Sequence, residues 1–523
     1  MEHQSTIKNT NKMKKKFLLS AFIVGFIGLN VLAFCGFYVA KADAKLFNKS
    51  SQIILVRDGN KTTVTMSNDF KGDVKDFAMV VPVPTVLSRD DIRVSEAALF
   101  NKLDEYSGPR LVEYYDDNPC EPRREVYYEM SVNSAVPTAD NVSIRMLERN
   151  KDLGVTIEAT YDVEEYDILI LSAKKSSGLK TWLLENGYKI PSTADEVLEP
   201  YIKDNMKFFV VKVDVDKLDE ISGMKNVKKY IDDPSMNNAR TLRPLQITYN
   251  SPKFMLPIRL GMANAQGDQD MIVYAFSKEG RVECTNYRTT KIPTNKHVPL
   301  FVREKFGKFY VDLFDKAHSR ENKEAIFLEY AWNVSPQMSG VKCDPCVGPP
   351  PIFADFKKAG VDWAVSANNQ ASSQVFFTRL HVRYSRETHP EDLKFHVTPN
   401  KEHFQARYIL TNPAPGNLSC DAGQLYCAQL VKKRANELEN LNDLTSWNTS
   451  QYREYVQEYY DKIEDKSIMN QVDEDRGEVV PGFDSDYIDP NMGLKIGILS
   501  SVIVLMLLIY FRSRSRRMER KAL

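Results

Sequence analysis

From Leu494 to Phe511 the chain is almost wholly apolar, interrupted by Lys495 at its edge, by Gly497 and by Ser500-Ser501. A membrane-spanning helix needs about 20 apolar residues and works from about 17. Arg512, Arg514, Arg516, Arg517, Arg520 and Lys521 follow at once. Cations crowded beside an apolar span stay on the cytoplasmic side of a membrane. Lys495 can carry its ammonium to the interface along its own methylene stem. A buried core helix would not end in such a basic run. The pattern predicts a single transmembrane helix over residues 493–511 and a basic cytoplasmic tail over 512–523.

The other end carries a second apolar stretch. Lys12, Lys14, Lys15 and Lys16 precede the run Phe17 to Phe34, the layout of a secretory signal with its positive end inside. Cleavage after Ala33 would put Val31 and Ala33 at the small-residue positions, and Ala42-Asp43-Ala44 is a second candidate. An uncleaved anchor is the alternative, although Gly25, Gly28 and Asn30 make the run a mediocre spanning helix. A lipoprotein reading of Leu32-Ala33-Phe34-Cys35 is weakened by bulky Phe34. Both basic flanks point the same way, so the residues between the two runs are expected on the extracytoplasmic side whether or not the first is cleaved.

Between the ends the composition is that of a globular protein, 43% hydrophobic and 27% charged. Seventy basic residues balance seventy acidic ones, which argues against a nucleic-acid partner. Tyrosines and phenylalanines, 25 and 26 of them, favour a strand-rich body. The expected class is α+β: a mixed α/β N-terminal part over 34–243 and a β-rich second part with a C-terminal helix over 244–460. An acidic stalk over 461–492 and the transmembrane helix follow, and residues 1–33 are the signal peptide.

Local patterns support that layout. Asp58-Gly59 between the β-prone runs 52–56 and 62–66 predicts a hairpin, because glycine supplies the positive φ such a turn needs. Strands are expected at 77–81, 155–161, 166–171 and 208–215. Ile168 to Leu171 is continuously apolar, as in a strand buried on both faces. Helices are expected at 95–106, 177–187 and 193–202. Strands at 246–249, 254–260, 271–276, 281–287, 376–384 and 395–397 follow, with a helix over 302–318. Leu425, Leu430, Leu438, Leu441 and Leu444 line roughly one side of a further helix.

The seven cysteines are Cys35, Cys120, Cys284, Cys343, Cys346, Cys420 and Cys427. In an exported chain disulfides are the default, and an odd count leaves at least one thiol free or paired between chains. Cys343-Asp344-Pro345-Cys346 invites a redox reading, but that chemistry wants the first cysteine at a helix N-terminus. Val347-Gly348-Pro349-Pro350-Pro351 prevents such a helix. The pair could join Cys420 and Cys427 around zinc, yet the second spacing is too long for a standard ribbon or finger.

His381, His389, His396 and His403 fall in one short stretch without a known zinc spacing, and surface or partly buried histidines are the simpler account. The chain has no Gly-x-Ser-x-Gly elbow and no phosphate-binding glycine loop of standard form. No catalytic residue, cofactor or metal is assigned.

Several strings resemble those of an uncharacterised bacterial family, domain of unknown function 2330. They are Cys35-Gly36-Phe37-Tyr38-Val39-Ala40-Lys41-Ala42-Asp43 with Ala44-Lys45-Leu46-Phe47-Asn48, then Phe77-Ala78-Met79-Val80-Val81-Pro82-Val83-Pro84, and Pro109-Arg110-Leu111-Val112-Glu113-Tyr114. Asn186-Gly187-Tyr188-Lys189-Ile190-Pro191 and Ser251-Pro252-Lys253-Phe254-Met255-Leu256-Pro257-Ile258-Arg259-Leu260-Gly261 also fit. So do Thr285-Asn286-Tyr287-Arg288-Thr289, Cys343-Asp344-Pro345-Cys346 and Thr378-Arg379-Leu380-His381-Val382-Arg383-Tyr384. The likeness extends roughly from Cys35 to Trp447. It implies cleavage shortly before Cys35 and a bridge from Cys35, with Cys120 as its suggested partner. Cys35, Cys120, Cys343, Cys346, Cys420 and Cys427 are the disulfide candidates. Cys284 departs from the family pattern and is the candidate free thiol. The resemblance brings no reaction with it.

The expectation is therefore a membrane-anchored extracytoplasmic protein with a binding or structural role and a protein or envelope partner. The alternative is an extracytoplasmic enzyme, such as a hydrolase, with its site between the mixed and β-rich parts.

Overall fold

The computed structural model describes residues 37–40, 51–67, 77–121, 153–186, 188, 194–214, 217, 242–263, 267–334, 350–364 and 374–474. The signal segment, the transmembrane run, the basic tail, Cys35, Cys343 and Cys346 lie outside these residues. Among the described residues no helix is long and apolar enough to cross a membrane.

The strands begin with β1 (Phe37–Ala40), β2 (Ser51–Asp58), β3 (Lys61–Ser67), β4 (Phe77–Val83), β5 (Ile92–Val94), β6 (Arg110–Tyr115) and β7 (Val155–Val163). Next come β8 (Tyr166–Ala173), β9 (Lys207–Val213), β10 (Leu245–Asn250), β11 (Met255–Leu256), β12 (Gln269–Ser277), β13 (Val282–Cys284) and β14 (Thr289–Lys291). The last are β15 (Lys296–His297), β16 (Ile326–Asn333), β17 (Phe376–Tyr384), β18 (Leu393–Val397), β19 (Phe404–Gln405) and β20 (Arg407–Asn412). Helices are α1 (Ala97–Ser107), α2 (Ser176–Glu185), α3 (Ala194–Lys203), α4 (Arg259–Ala263) and α5 (Phe306–Arg320). They continue with α6 (Phe353–Ala359), α7 (Asp421–Thr445), α8 (Arg453–Tyr460) and α9 (Ile468–Glu474). The fold is mixed α+β with several sheets.

Gly59, at φ +56°, turns β2 into β3, and the hairpin closes on the Asp58–Lys61 pair. This hairpin lies inside a nine-stranded sheet ordered β14-β16-β17-β12-β2-β3-β10-β5, with β19 paired to β16. A five-stranded sheet runs β1-β4-β9-β8-β7. Ile53, Leu55, Val273, Leu380 and Val382 from the larger sheet share one apolar cluster with Met79, Val81, Ile168, Ile170, Phe209 and Val211 from the smaller. The other face of the smaller sheet sends Val80, Leu171, Phe208 and Val210 against Leu179, Leu183 and Leu198 of α2 and α3. Strand β8 is thus covered on both sides, which is why Ile168 to Leu171 carries no polar alternation. The second face of the larger sheet packs Ile54, Val56, Phe276 and Phe377 against Leu99, Phe100 and Leu103 of α1 and Phe356 of α6.

The expected division at residues 243/244 gives way to a different one. Strand β2 pairs in parallel with β12, from Ser51–Met271 to Val56–Phe276, so early and late segments build one sheet. Backbone hydrogen bonds between distant segments leave no hydrophobic pattern that marks them in the sequence. By contacts the first compact unit comprises Met1–Asn118, Pro122–Pro415 and Lys433–Tyr455; the second comprises Pro119–Glu121, Gly416–Lys432 and Val456–Leu523.

Two further expectations are corrected. The strand over 254–260 is only β11 before the chain turns into α4. The stalk does not begin at 461: Ile463 is 3% exposed in the core of the second unit, with Cys427, Leu430 and Tyr459, and α9 follows. Residues 475–492 lie outside the described residues.

Candidate functional site

Strand β17 sets Arg379, His381 and Arg383 along one face, because side chains two apart on a strand point the same way. Leu380 and Val382 between them enter the main apolar cluster. A row of cations on a buried strand face is unfavourable unless anions meet it.

Neighbouring elements supply the anions. On β12, Asp270 pairs across from Arg383 and Ile272 from His381. On β16 the pairing runs Phe327–His381, Leu328–Leu380, then Tyr330–Arg379, so Glu329 is the extra residue of a β-bulge. A bulge re-aims side chains by setting two residues against one. It directs Glu329, fully buried, at both Arg379 and His381.

The Arg379 Nε donates to Glu329 Oε2 at 2.6 Å, and its Nη1 donates to Asp104 Oδ1 on α1 at 2.6 Å. His381 Nδ1 lies 2.9 Å from Glu329 Oε1 and its Nε2 lies 3.1 Å from Asp270 Oδ1. Arg383 grips Asp270 with Nε and Nη2 at 2.9 and 3.0 Å, and also pairs with Asp315 of α5. The Tyr310 hydroxyl donates to Glu329, and the Tyr274 hydroxyl donates to Asp104 at 2.9 Å. Phe314 stacks on the His381 ring with centroids 3.8 Å apart.

This geometry dictates the protonation states. Both ring nitrogens of His381 face carboxylate oxygens, which accept and cannot donate when ionised, so the ring is an imidazolium. Burial alone would lower its pKa, but Glu329 and Asp270 outweigh burial and raise it. Burial likewise works against both carboxylates. Arg379 and His381 hold Glu329 below its ordinary range, and His381 and Arg383 do the same for Asp270.

The arrangement is a linear chain of alternating charges through the sheet, in the order Asp104, Arg379, Glu329, His381, Asp270, Arg383, Asp315. Asp104 and Asp315 are its solvent-facing ends, with side chains 46% and 52% exposed. Asp315 also borders an open surface depression with Asp312, Lys316, Ser319, Thr445 and Ser446.

The four histidines do not converge. His389 is buried in the turn after β17 against Tyr287, with ring centroids 4.4 Å apart. Burial, with a smaller contribution from His318, lowers its pKa to about 4. His396 is exposed on β18, and His403 is exposed and stacked on Trp332. Among the described residues no group of three or more His, Cys, Asp and Glu side chains is placed to hold a metal ion.

The cysteines pair differently from the expectation. Cys120 is bridged to Cys420, with Cα atoms 5.9 Å apart, which replaces the suggested Cys35–Cys120 bond. Cys427 is a buried thiol rather than a bridge partner, because α7 turns it into the apolar core of the second unit. Cys284 is a buried thiol on β13. Burial raises both thiol pKa values and keeps the sulfurs protonated.

Sequence reasoning missed Glu329, Asp270, Asp104 and Asp315 altogether. The signal for the site lay in Arg379-x-His381-x-Arg383, a cation at every second position of a strand. That motif sits in one of the strings shared with a bacterial family, and the sequence profile described as "Uncharacterized protein conserved in bacteria (DUF2330)" matches residues 30–396. The chain belongs to this family. The matched span of this DUF2330 chain contains the whole ion network and ends before Cys420 and α7. No curated protein and no solved structure matches the chain.

Proposed function

We propose that this DUF2330 chain is a single-pass envelope protein whose folded body stands on the extracytoplasmic side and serves as a binding or structural module. The observation that carries the non-catalytic reading is the saturation of the ion network. Arg379, Glu329, His381 and Asp270 spend their hydrogen bonds on one another and on Asp104, Arg383 and Tyr310. A general acid or base must reach the proton it transfers on a bound substrate. Glu329 has no exposed surface and the His381 side chain is 12% exposed, so neither offers that reach. The charges fasten strands β12, β16 and β17 to helices α1 and α5, which is a scaffold's work.

The location rests on the apolar run over 493–511 and the basic tail over 512–523, and the Cys120–Cys420 bridge supports it, since disulfides persist in oxidising compartments. The membrane contact is the C-terminal helix, and the partner is an envelope protein or another envelope component. Protease added to intact spheroplasts is expected to digest the body and spare the tail; a protected body would contradict the orientation. Removing residues from Gly493 onward is expected to release a soluble ectodomain, and continued membrane retention would assign the anchor to the N-terminal run instead.

A further inference from the structure

Outside the ion network, a second group of ionisable side chains is buried where α7 and α8 meet the segment after β6. Glu437 of α7 is 2% exposed. Its hydrogen bond comes from the Tyr455 hydroxyl of α8, which donates to Oε2 at 2.6 Å. That hydroxyl in turn accepts from the Leu300 amide at 3.3 Å. The two cations nearest on the same helix are drawn elsewhere. Lys433 Nζ lies 3.7 Å from Asp116 Oδ2, and Arg434 donates Nη1 to the Tyr455 carbonyl at 2.6 Å with its guanidinium over the Tyr455 ring. The charged and titratable groups facing Glu437 are therefore Lys433 and Arg434 from α7, Tyr455 from α8 and Asp116 from the segment after β6.

A buried carboxylate without a close counter-cation is costly, and the neutral acid in the same place costs far less. We propose that Glu437 and Tyr455 form a proton-controlled clasp: the neutral carboxyl holds α8 against α7, and the carboxylate loosens it.

The direction follows from linkage. Burial pushes the Glu437 carboxyl up to about 7, against the opposing pull of Tyr455, Lys433 and Arg434. When α8 leaves, the carboxyl returns to water and to its ordinary value of about 4.3. Docking thus takes up a proton. It is strongest below about pH 4.3, weakens as the pH rises through neutrality, and is weakest once the docked carboxyl has ionised. Each unit of pKa difference is about a tenfold change in the docking equilibrium.

Hydrogen exchange of the full chain in detergent micelles, corrected for the intrinsic pH dependence of exchange, tests the clasp at Arg453–Tyr460. Protection of these amides is expected to fall about tenfold or more between pH 5 and pH 8 in the native protein. Glu437→Gln should abolish that fall and keep protection high at pH 8. Tyr455→Phe should lower protection already at pH 5. Native protection that does not change with pH would overturn the proposal, as would an undiminished fall in Glu437→Gln. Should Glu437→Gln not fold, the native pH profile and Tyr455→Phe still decide: a flat profile, or a Tyr455→Phe protein as protected at pH 5 as the native one, rejects the clasp.

Discussion

Replacing His381 by Ala would leave Glu329 and Asp270 without the cation between them. Glu329 would keep Arg379 and Asp270 would keep Arg383, so the loss is expected to fall below the cost of stripping a buried charge of its only partner, about 3–5 kcal/mol. His381→Ala is therefore expected to lower the denaturation midpoint by less than that, as measured by urea titration at pH 6. The same residue gives an alkaline limit. Its pKa is raised in the folded protein, so its stabilisation is complete below the unfolded value of about 6.5 and is lost as the pH rises through the folded value. Glu329 and Asp270 act in the opposite sense: lowered in the fold, they stabilise above about pH 4.3 and lose that contribution in acid. Urea midpoints across pH are expected to show the alkaline decline in the native protein and a much flatter profile in His381→Ala. An equally steep decline in the variant would remove His381 from the account. At this scale the cations were legible, since Arg379, His381 and Arg383 alternate within a strand that the pattern places correctly. Their partners were not, because Asp104, Asp270, Glu329 and Asp315 lie far apart in sequence and look like ordinary acidic residues.

Among the elements, the bulge in β16 decides where the buried charge goes. Without the extra residue, regular alternation through Ile326 to Asn333 would reverse the faces beyond Glu329. Deleting Glu329 would remove both the carboxylate and the register shift, leaving Arg379 only Asp104 and His381 only Asp270 as anionic partners. A loss of about 3–5 kcal/mol or failure to fold is expected by urea titration or far-UV circular dichroism; a deletion protein of native stability would show the bulge to be dispensable. In the second unit Gly423 permits the first turn of α7 to pack against the disulfide, since a Cβ there would stand 2.7 Å from Cys120 Sγ. Gly423→Ala is expected to cost about 1–3 kcal/mol through overpacking, seen as earlier melting in calorimetry and faster reduction of the bridge by dithiothreitol. Hairpins and amphipathic helices were readable from local chemistry: Gly59 turns β2 into β3, and the leucines of α7 follow helical spacing. The bulge and the packing of Ile463 were not, because an acidic, weakly apolar stretch such as 461–474 gives no sign of the core it joins.

For the whole molecule, the decisive feature is that non-local pairing overrides the chain's apparent halves. β2 from the mixed part lies beside β12 from the β-rich part, and β10 lies between β3 and β5. Class and many strands could be read from the sequence, while the order of strands depends on contacts that no local pattern encodes. The bridge from Cys120 to Cys420 spans 300 residues and closes a loop that contains strands β7 to β20. Closing so long a loop restricts the unfolded chain by up to about 5 kcal/mol, and such a bond persists best in an oxidising compartment. The most direct measurement is therefore thiol trapping in intact cells followed by peptide mapping without reduction. A linked pair of peptides containing Cys120 and Cys420 is expected, with Cys284 and Cys427 alkylated only after denaturation. Recovery of Cys120 and Cys420 as trapped free thiols would contradict an extracytoplasmic body held together in this way.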